Sequence, residues 1–282
     1  MSGNRGARER LAQETLRILD ARRYETQAGR AVDLDGPLSR CLTGTRLHEA
    51  DEIARMIVAM REVQGAHDAR IEVVNETTLV GLSALLRESD EPVAVLNFAS
   101  AKNPGGGFLG GSQAQEESLA RSSALYASLS RCDAFYAKHR ASSSLLYSDA
   151  MILSPACPVF RDDHGALLEA PMHAGFITSA APNAGAIAQT RPDEWPLIES
   201  TFVRRAEGVL ALAAQHGYRN LVLGAWGCGV FRNDPAMVAR VFADHLLRGP
   251  WRHHFERVRF SVLDNTGDGA TFAAFRHALY VD

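Results

Sequence analysis

Cysteine is scarce in this chain: Cys41, Cys132, Cys157 and Cys228 are the only four in 282 residues. Thiols so few and so scattered make no disulfide framework, and no C-x-x-C pair or Cys/His spacing marks a zinc site. Basic excess is missing too. Thirty Lys and Arg against 33 Asp and Glu leave a formal charge of −3, so no global positive field is available to hold a nucleic-acid backbone. Direct sequence-specific nucleic-acid binding is not expected, and any anionic ligand must be held locally. No run approaches the roughly 18 apolar residues of a membrane span, and the stretch from Met1 to Tyr24 lacks the apolar core of a secretory signal. Glu9, Glu14 and Asp20 argue against reading the Arg-rich start as a transit peptide, since such peptides are poor in acids. The expectation is a cytoplasmic protein with reduced thiols, no membrane contact and a monomeric state.

What is present is an ordinary globular mixture, 46% hydrophobic and 22% charged, which excludes disordered, collagen-like and coiled-coil chains. Helical spacing at residues 8–24 and 45–62 makes the first ninety residues mostly helical, apart from a strand at Ile71–Val74. Thr77 or Thr78 then caps a helix that carries Leu79, Leu82, Leu85 and Leu86 on one face. Further strands are expected at Val93–Phe98, Met151–Leu153, Gly175–Ala180, Leu221–Gly224 and Arg257–Leu263. Helices are expected at Gln115–Arg131, Pro196–His216 and Pro235–Leu247, with loops at Ala141–Ser144 and Ala180–Ala188. Such alternation argues for an α/β layered domain, a parallel or mixed central sheet with helices on both faces, and ligands bound at the carboxyl ends of its strands. No internal repeat and no convincing interdomain linker interrupts it. Residues 1–70 read as a helical accessory region packed on a core of residues 71–282, one structural domain overall.

The most informative segment runs from Asn97 to Glu117. A strand ends, and Gly105, Gly106, Gly107, Gly110 and Gly111 place five glycines in seven positions, where backbone can approach a ligand closely and form an anion nest. A helix then opens with Gln115, Glu116 and Glu117. Paired acids at a helix start can simply complement the helix dipole. They can also do chemistry: adjacent helical residues project about 100° apart, so the two carboxylates cannot flank one glycosidic bond as opposed acid and base, and they must have different tasks. A carboxyl group partly buried beneath glycines can hold its proton to higher pH, as general acid catalysis requires.

A second glycine-rich turn, Gly224-Ala225-Trp226-Gly227-Cys228-Gly229-Val230-Phe231, follows an apolar strand and precedes a helix. Backbone N–H groups of that turn and the positive helix end suit a diphosphate. The segment has neither the Gly-Lys-Ser/Thr of a Walker loop nor G-x-G-x-x-G spacing, which disfavours a nucleoside triphosphate or NAD. Cys228 has no recognisable histidine partner and is not read as a nucleophile. His253-His254 reads as solvated surface, and no carboxylate-rich magnesium cluster is present, so neither metal nor cofactor is expected. Asn265 and Thr266 follow the last strand; they either line the ligand cleft or form an Asx-type turn. Asn183, in Pro182-Asn183-Ala184-Gly185, lies in another candidate cleft loop without an assigned role.

Gly105-Gly106-Gly107, seven residues, then Gln115-Glu116-Glu117 resembles the signature of poly(ADP-ribose) glycohydrolases. Asn103-Pro104 and Arg121-Ser122-Ser123-Ala124-Leu125-Tyr126 resemble the bacterial-type branch. The resemblance implies a macrodomain-like three-layer α/β/α fold with a mixed sheet and an N-terminal helical extension. It also implies hydrolysis of the ribose–ribose O-glycosidic bond of poly(ADP-ribose), mainly from chain ends. Glu117 would then be the general acid/base, Glu116 would hold ribose hydroxyls, and Asn103, Gly105, Gly106, Gly107 and Gln115 would line the scissile ribose. Gly224, Trp226, Gly227, Cys228, Gly229 and Val230 would form the diphosphate loop, with Phe231 packed on a ribose. Implied partners are poly(ADP-ribose), ADP-ribosylated proteins and the product ADP-ribose, in a setting of DNA-damage recovery. Two rivals remain open: a non-hydrolytic ADP-ribose-binding module, and a hydrolase of ADP-ribose linked to protein or a nucleic-acid base.

Overall fold

The structure is a computed structural model and describes residues 5–280; residues 1–4, the start of the expected N-terminal region, lie outside the described residues. The chain opens with helix α1 (Arg5–Ala21), a hairpin of β1 (Arg23–Glu25) and β2 (Ala31–Asp33), α2 (Asp35–Gly44), β3 (Arg46–His48) and α3 (Ala50–Arg61). The alternation then runs β4 (Arg70–Val74), α4 (Thr78–Glu88), β5 (Val93–Phe98), α5 (Gln115–Ser122), α6 (Leu125–Leu129) and α7 (Asp133–Ala141). After the long strands β6 (Met151–Arg161) and β7 (Leu167–Ser179) come α8 (Ala184–Thr190), α9 (Ile198–Gln215), β8 (Asn220–Leu223), α10 (Pro235–Ala243), β9 (Arg257–Ser261) and α11 (Ala270–Leu279).

Seven strands form one mixed sheet in the order β3-β6-β7-β5-β8-β9-β4. The pairs from β7 through β5, β8 and β9 to β4 are parallel, and β3-β6-β7 is antiparallel. The apolar run Val93–Leu96 of β5 follows from its place between two parallel neighbours with both faces covered. Val93 and Val95 pack into one hydrophobic cluster with Leu82 and Leu85 of α4. Ala94 and Leu96 pack into the other with Leu210 of α9 and Phe242 of α10. Two cores, one on each face, make the three layers.

Several expectations are corrected. The first ninety residues are mostly helical through α1–α4, as expected, but they also hold strands that were not expected: β1 and β2 form a hairpin, and Arg46–His48 is an edge strand paired with Met151–Leu153. The expected helix over Gln115–Arg131 breaks at Ser123, because Ser123 bridges to Val159 and the Ala124 N–H donates to the Pro158 carbonyl at 3.0 Å. The chain there exchanges helix bonds for the β6 edge. The stretch Ala180–Ala188, expected as loop, contains the start of α8, capped by Asn183, whose Oδ1 accepts the Ala186 N–H at 3.1 Å. Asn183 thereby gains a role, since a side-chain oxygen that satisfies an orphan helix N–H fixes where the helix begins. Thr77 is the cap of α4 by the same chemistry.

Among the described residues no helix is long and apolar enough to cross a membrane. The parallel strands β5, β7, β8 and β9 are neighbours, so the loops that leave their carboxyl ends gather on one side of the sheet. Both glycine-rich segments are among those loops.

Candidate active site

The loop after β5 is built from tight turns. The Gly106 N–H donates to the Asn103 carbonyl at 3.0 Å, and a 3-10 turn over Phe108–Gly110 leads to Gly111. Gly106 sits at φ +59°, and a Cβ there would lie 2.4 Å from Glu117 Oε1 and 3.2 Å from Glu116 Oε2. Glycine is required at this position for both reasons: the left-handed backbone and the approach of two carboxylates. Glu117 Oε1 accepts the Gly107 N–H at 3.0 Å. Its Oε2 has no hydrogen-bond partner among the described residues, and the side chain is half-buried. A carboxyl held by one oxygen and open at the other is equipped to exchange a proton with a bound ligand.

Glu116 is different. It is buried, Oε2 accepts the Ser100 N–H at 2.7 Å, and Oε1 accepts from Asn97 Nδ2 at 3.2 Å. Burial is the main cause that pushes its carboxyl up to about 8, with the Glu117 charge adding to the rise. The raised carboxyl expected of this pair is therefore that of Glu116, and its bonds fix the start of the loop. A stability consequence follows with a definite sign. Between 4.5 and about 8 the unfolded chain has released this proton while the folded chain keeps it, so the stability present at low pH is lost as pH rises through that window. Thermal unfolding should show wild type losing melting temperature from about pH 5 to pH 8 more steeply than Glu116→Gln. Equal slopes would contradict this.

Gln115 was expected to touch substrate, and the structure corrects this. Its Oε1 accepts the Phe98 N–H at 2.9 Å, while Nε2 donates to the Leu96 carbonyl at 2.8 Å and to Thr78 Oγ1 at 3.2 Å. The amide joins α5 to the end of β5 instead. Asn103 is exposed, and its side chain has no protein partner among the described residues. Gly105 and Gly107 stand in the loop as expected.

The second turn lies beside the first. Gly224 leaves no room for a side chain, since a Cβ would stand 3.1 Å from Phe98 Cζ and 2.5 Å from the Ser261 carbonyl oxygen. The N–H groups of Gly227, Gly229, Val230 and Phe231 have no acceptor among the described residues. Four such donors in one turn suit a multiply charged oxyanion. Asn233 locks the turn by donating to the Pro182 and Gly227 carbonyls at 2.8 and 2.9 Å. Trp226 is corrected: it is fully buried, packs edge-on against Phe202 with centroids 5.2 Å apart, and donates through Nε1 to the Ser179 carbonyl. Its backbone N–H is taken by the Gly224 carbonyl at 2.8 Å, so Trp226 anchors the turn and offers nothing to a ligand. Burial pushes the Cys228 thiol up to about 12, which agrees with a structural thiol.

Phe231 is half-buried and pairs with Tyr147 at a centroid distance of 6.2 Å. Sequence reasoning missed Tyr147. Its φ of +61° is uncommon for a bulky residue, and nothing in the surrounding sequence signals that backbone. Asn97, also missed, is fully buried and reaches both Glu116 and Thr178. Thr266 takes the turn alternative: its N–H donates to Asp264 Oδ1 at 2.9 Å and its hydroxyl to Asp264 and Asp268. Asn265 is exposed beside it. Among the described residues, no group of three or more His, Cys, Asp or Glu is arranged to hold a metal ion.

The chain is similar to known proteins over most of its length. The structure of poly(ADP-ribose) glycohydrolase (PARG) from Thermomonospora curvata superposes with a TM-score of 0.93 at 46% identity, covering 97% of this chain and 99% of that one. The same protein bound to the inhibitor ADP-HPD gives 0.89 at 46% identity, over 96% and 99%. PARG from Deinococcus radiodurans in complex with ADP-ribose gives 0.82 at 47% identity, over 88% and 98%. No curated protein sequence matches. A family model described as the catalytic domain of microbial-type PARG matches residues 12–162, more than half of the chain, and takes in both glutamates and the first glycine loop. The chain therefore belongs to the microbial-type poly(ADP-ribose) glycohydrolase family, whose members are glycosidases with this macrodomain-like fold.

Proposed function

We propose that this glycosidase hydrolyses the ribose–ribose O-glycosidic bond of poly(ADP-ribose) and releases ADP-ribose, with Glu117 transferring the protons. The observation that carries the reading is the Glu117 carboxyl, held at Oε1 by the Gly107 N–H and open at Oε2, beside the one loop position where a side chain would collide with it. Protonated Glu117 gives its proton to the leaving ribose oxygen as the C–O bond breaks and the anomeric carbon takes on oxocarbenium character. The carboxylate then takes a proton from water as the water oxygen bonds to that carbon, which restores the acid. Glu116 and Asn103 contact the ribose hydroxyls. The free amides of Gly227, Gly229, Val230 and Phe231 bind the diphosphate, and the Phe231 ring lies against the adjoining ribose. Fixing the diphosphate and ribose places the scissile bond against Glu117, so positioning supplies much of the rate.

In this reading the catalytic core begins at residue 71, residues 5–70 pack on it, and the enzyme works from chain ends as a cytoplasmic monomer on ADP-ribosylated proteins. The similarity to PARGs with ADP-ribose and ADP-HPD bound supports the ligand assignment. A Phe231→Ala variant tests the binding half. Loss of a stacked ring should weaken ADP-ribose binding about tenfold in calorimetry and raise KM, with kcat within a few-fold of wild type. Unchanged affinity would remove Phe231 from the ligand site.

A further inference from the structure

Helix α1 holds the glycine loop from outside the sheet. Arg5 Nε donates to the Gly110 carbonyl at 2.8 Å, and Arg8 Nε donates to the Gly111 carbonyl at 2.7 Å. The fit leaves no slack, because a Cβ on Gly111 would stand 2.5 Å from the Arg5 carbonyl oxygen. The Gly107 carbonyl accepts from both Gly110 and Ser112 at 3.1 Å, and the Gly107 N–H is the group that binds Glu117. A grip on residues 110 and 111 is thus transmitted to the Glu117 carboxylate within one turn.

The same helix also grips α5. Thr15 Oγ1 donates to the Arg121 carbonyl at 2.5 Å, and fully buried Arg121 donates to the Ser112 carbonyl at 2.8 Å. Glu14 pairs with buried Arg161 at 3.2 Å. Ala12 of α1, Phe108 of the loop and Ala120 of α5 form a third hydrophobic cluster separate from both sheet-facing cores. The family match begins at residue 12, after both arginines.

We infer that α1 is a brace that sets the catalytic loop, with Arg5 and Arg8 as positioning residues for Glu117; as a statement about catalysis, this rests on the proposed hydrolysis. The test compares full-length wild type, Arg5→Ala/Arg8→Ala, Arg5→Lys/Arg8→Lys and the control Arg30→Ala, whose ion pair with Glu169 does not touch the loop. Each is followed by hydrogen exchange and by turnover of poly(ADP-ribose). Removing both guanidinium groups should speed exchange over residues 105–113 about tenfold and leave residues 224–231 unchanged. The same variant should lose about tenfold in kcat with KM within about twofold, since small misplacement of a reacting group is costly in rate. The lysine pair should recover part of both losses, and Arg30→Ala should behave as wild type. Unchanged exchange and kcat in the alanine pair would overturn the brace, as would faster exchange throughout the chain with KM and kcat damaged together. If wild type itself turns over no polymer, the proposed hydrolysis fails, while the exchange data still decide whether α1 holds the loop.

Discussion

Glu117→Gln should lower kcat on poly(ADP-ribose) by two to four orders of magnitude, about the range that one positioned acid/base contributes, while ADP-ribose affinity changes little. The substitution keeps the size of the side chain and its acceptor for the Gly107 N–H, so the loop keeps its shape. What disappears is the exchangeable proton. Glu116→Gln should behave differently, because Glu116 is buried and tied to Ser100 and Asn97: its loss changes the pH dependence of stability in addition to any effect on rate. Steady-state kinetics beside calorimetric binding separate the two. A Glu117→Gln enzyme within tenfold of wild-type kcat would remove Glu117 from the proton transfer.

The second large effect is expected from the smallest change. Gly106→Ala adds one methyl group at a left-handed position, 2.4 Å from Glu117 Oε1 and 3.0 Å from its Cδ. Either the loop or the carboxylate must move. A displacement of about 1 Å at a reacting group costs on the order of a hundredfold in rate, so kcat should fall by about that factor. The backbone penalty of about 1–2 kcal/mol should lower the melting temperature by only a few degrees. Gly217→Ala is the matched control, since Gly217 is also left-handed at φ +74°, nothing lies within 4 Å of a Cβ there, and it stands outside both glycine-rich loops. Equal kcat for Gly106→Ala and wild type would show that the Glu117 position is not set by this contact.

How much of this could be read from the sequence depends on how local the cause is. The glycine-to-glutamate spacing lies within one loop and the first turn of one helix, so the order of residues carries it. The strands of the parallel half were legible because burial on both faces favours a near-continuous apolar run, as in Val93–Leu96. Strand β3 was not, because three residues cannot show a period of two and its partner lies a hundred residues away in β6. Trp226 looked like a cleft residue among glycines, yet Phe202 and Phe242, from α9 and α10, draw it into the core. Gln115 looked like a ligand beside the acids, but its partners come from β5 and α4. Tyr147 and Asn97 enter the site only through tertiary contacts, to Phe231 and to Glu116 and Thr178. The same separation explains Arg5 and Arg8, whose carbonyl partners lie more than a hundred residues along the chain.

The central claim is bond cleavage at Glu117, and the most direct measurement is a time course of wild type and Glu117→Gln on auto-poly(ADP-ribosyl)ated protein, with products separated by length. Free ADP-ribose should accumulate from the earliest points with wild type, ahead of any short oligomers, while Glu117→Gln leaves the polymer intact and still binds ADP-ribose. Polymer that stays intact with both proteins, although both bind ADP-ribose, would contradict the account and leave a binding module in its place.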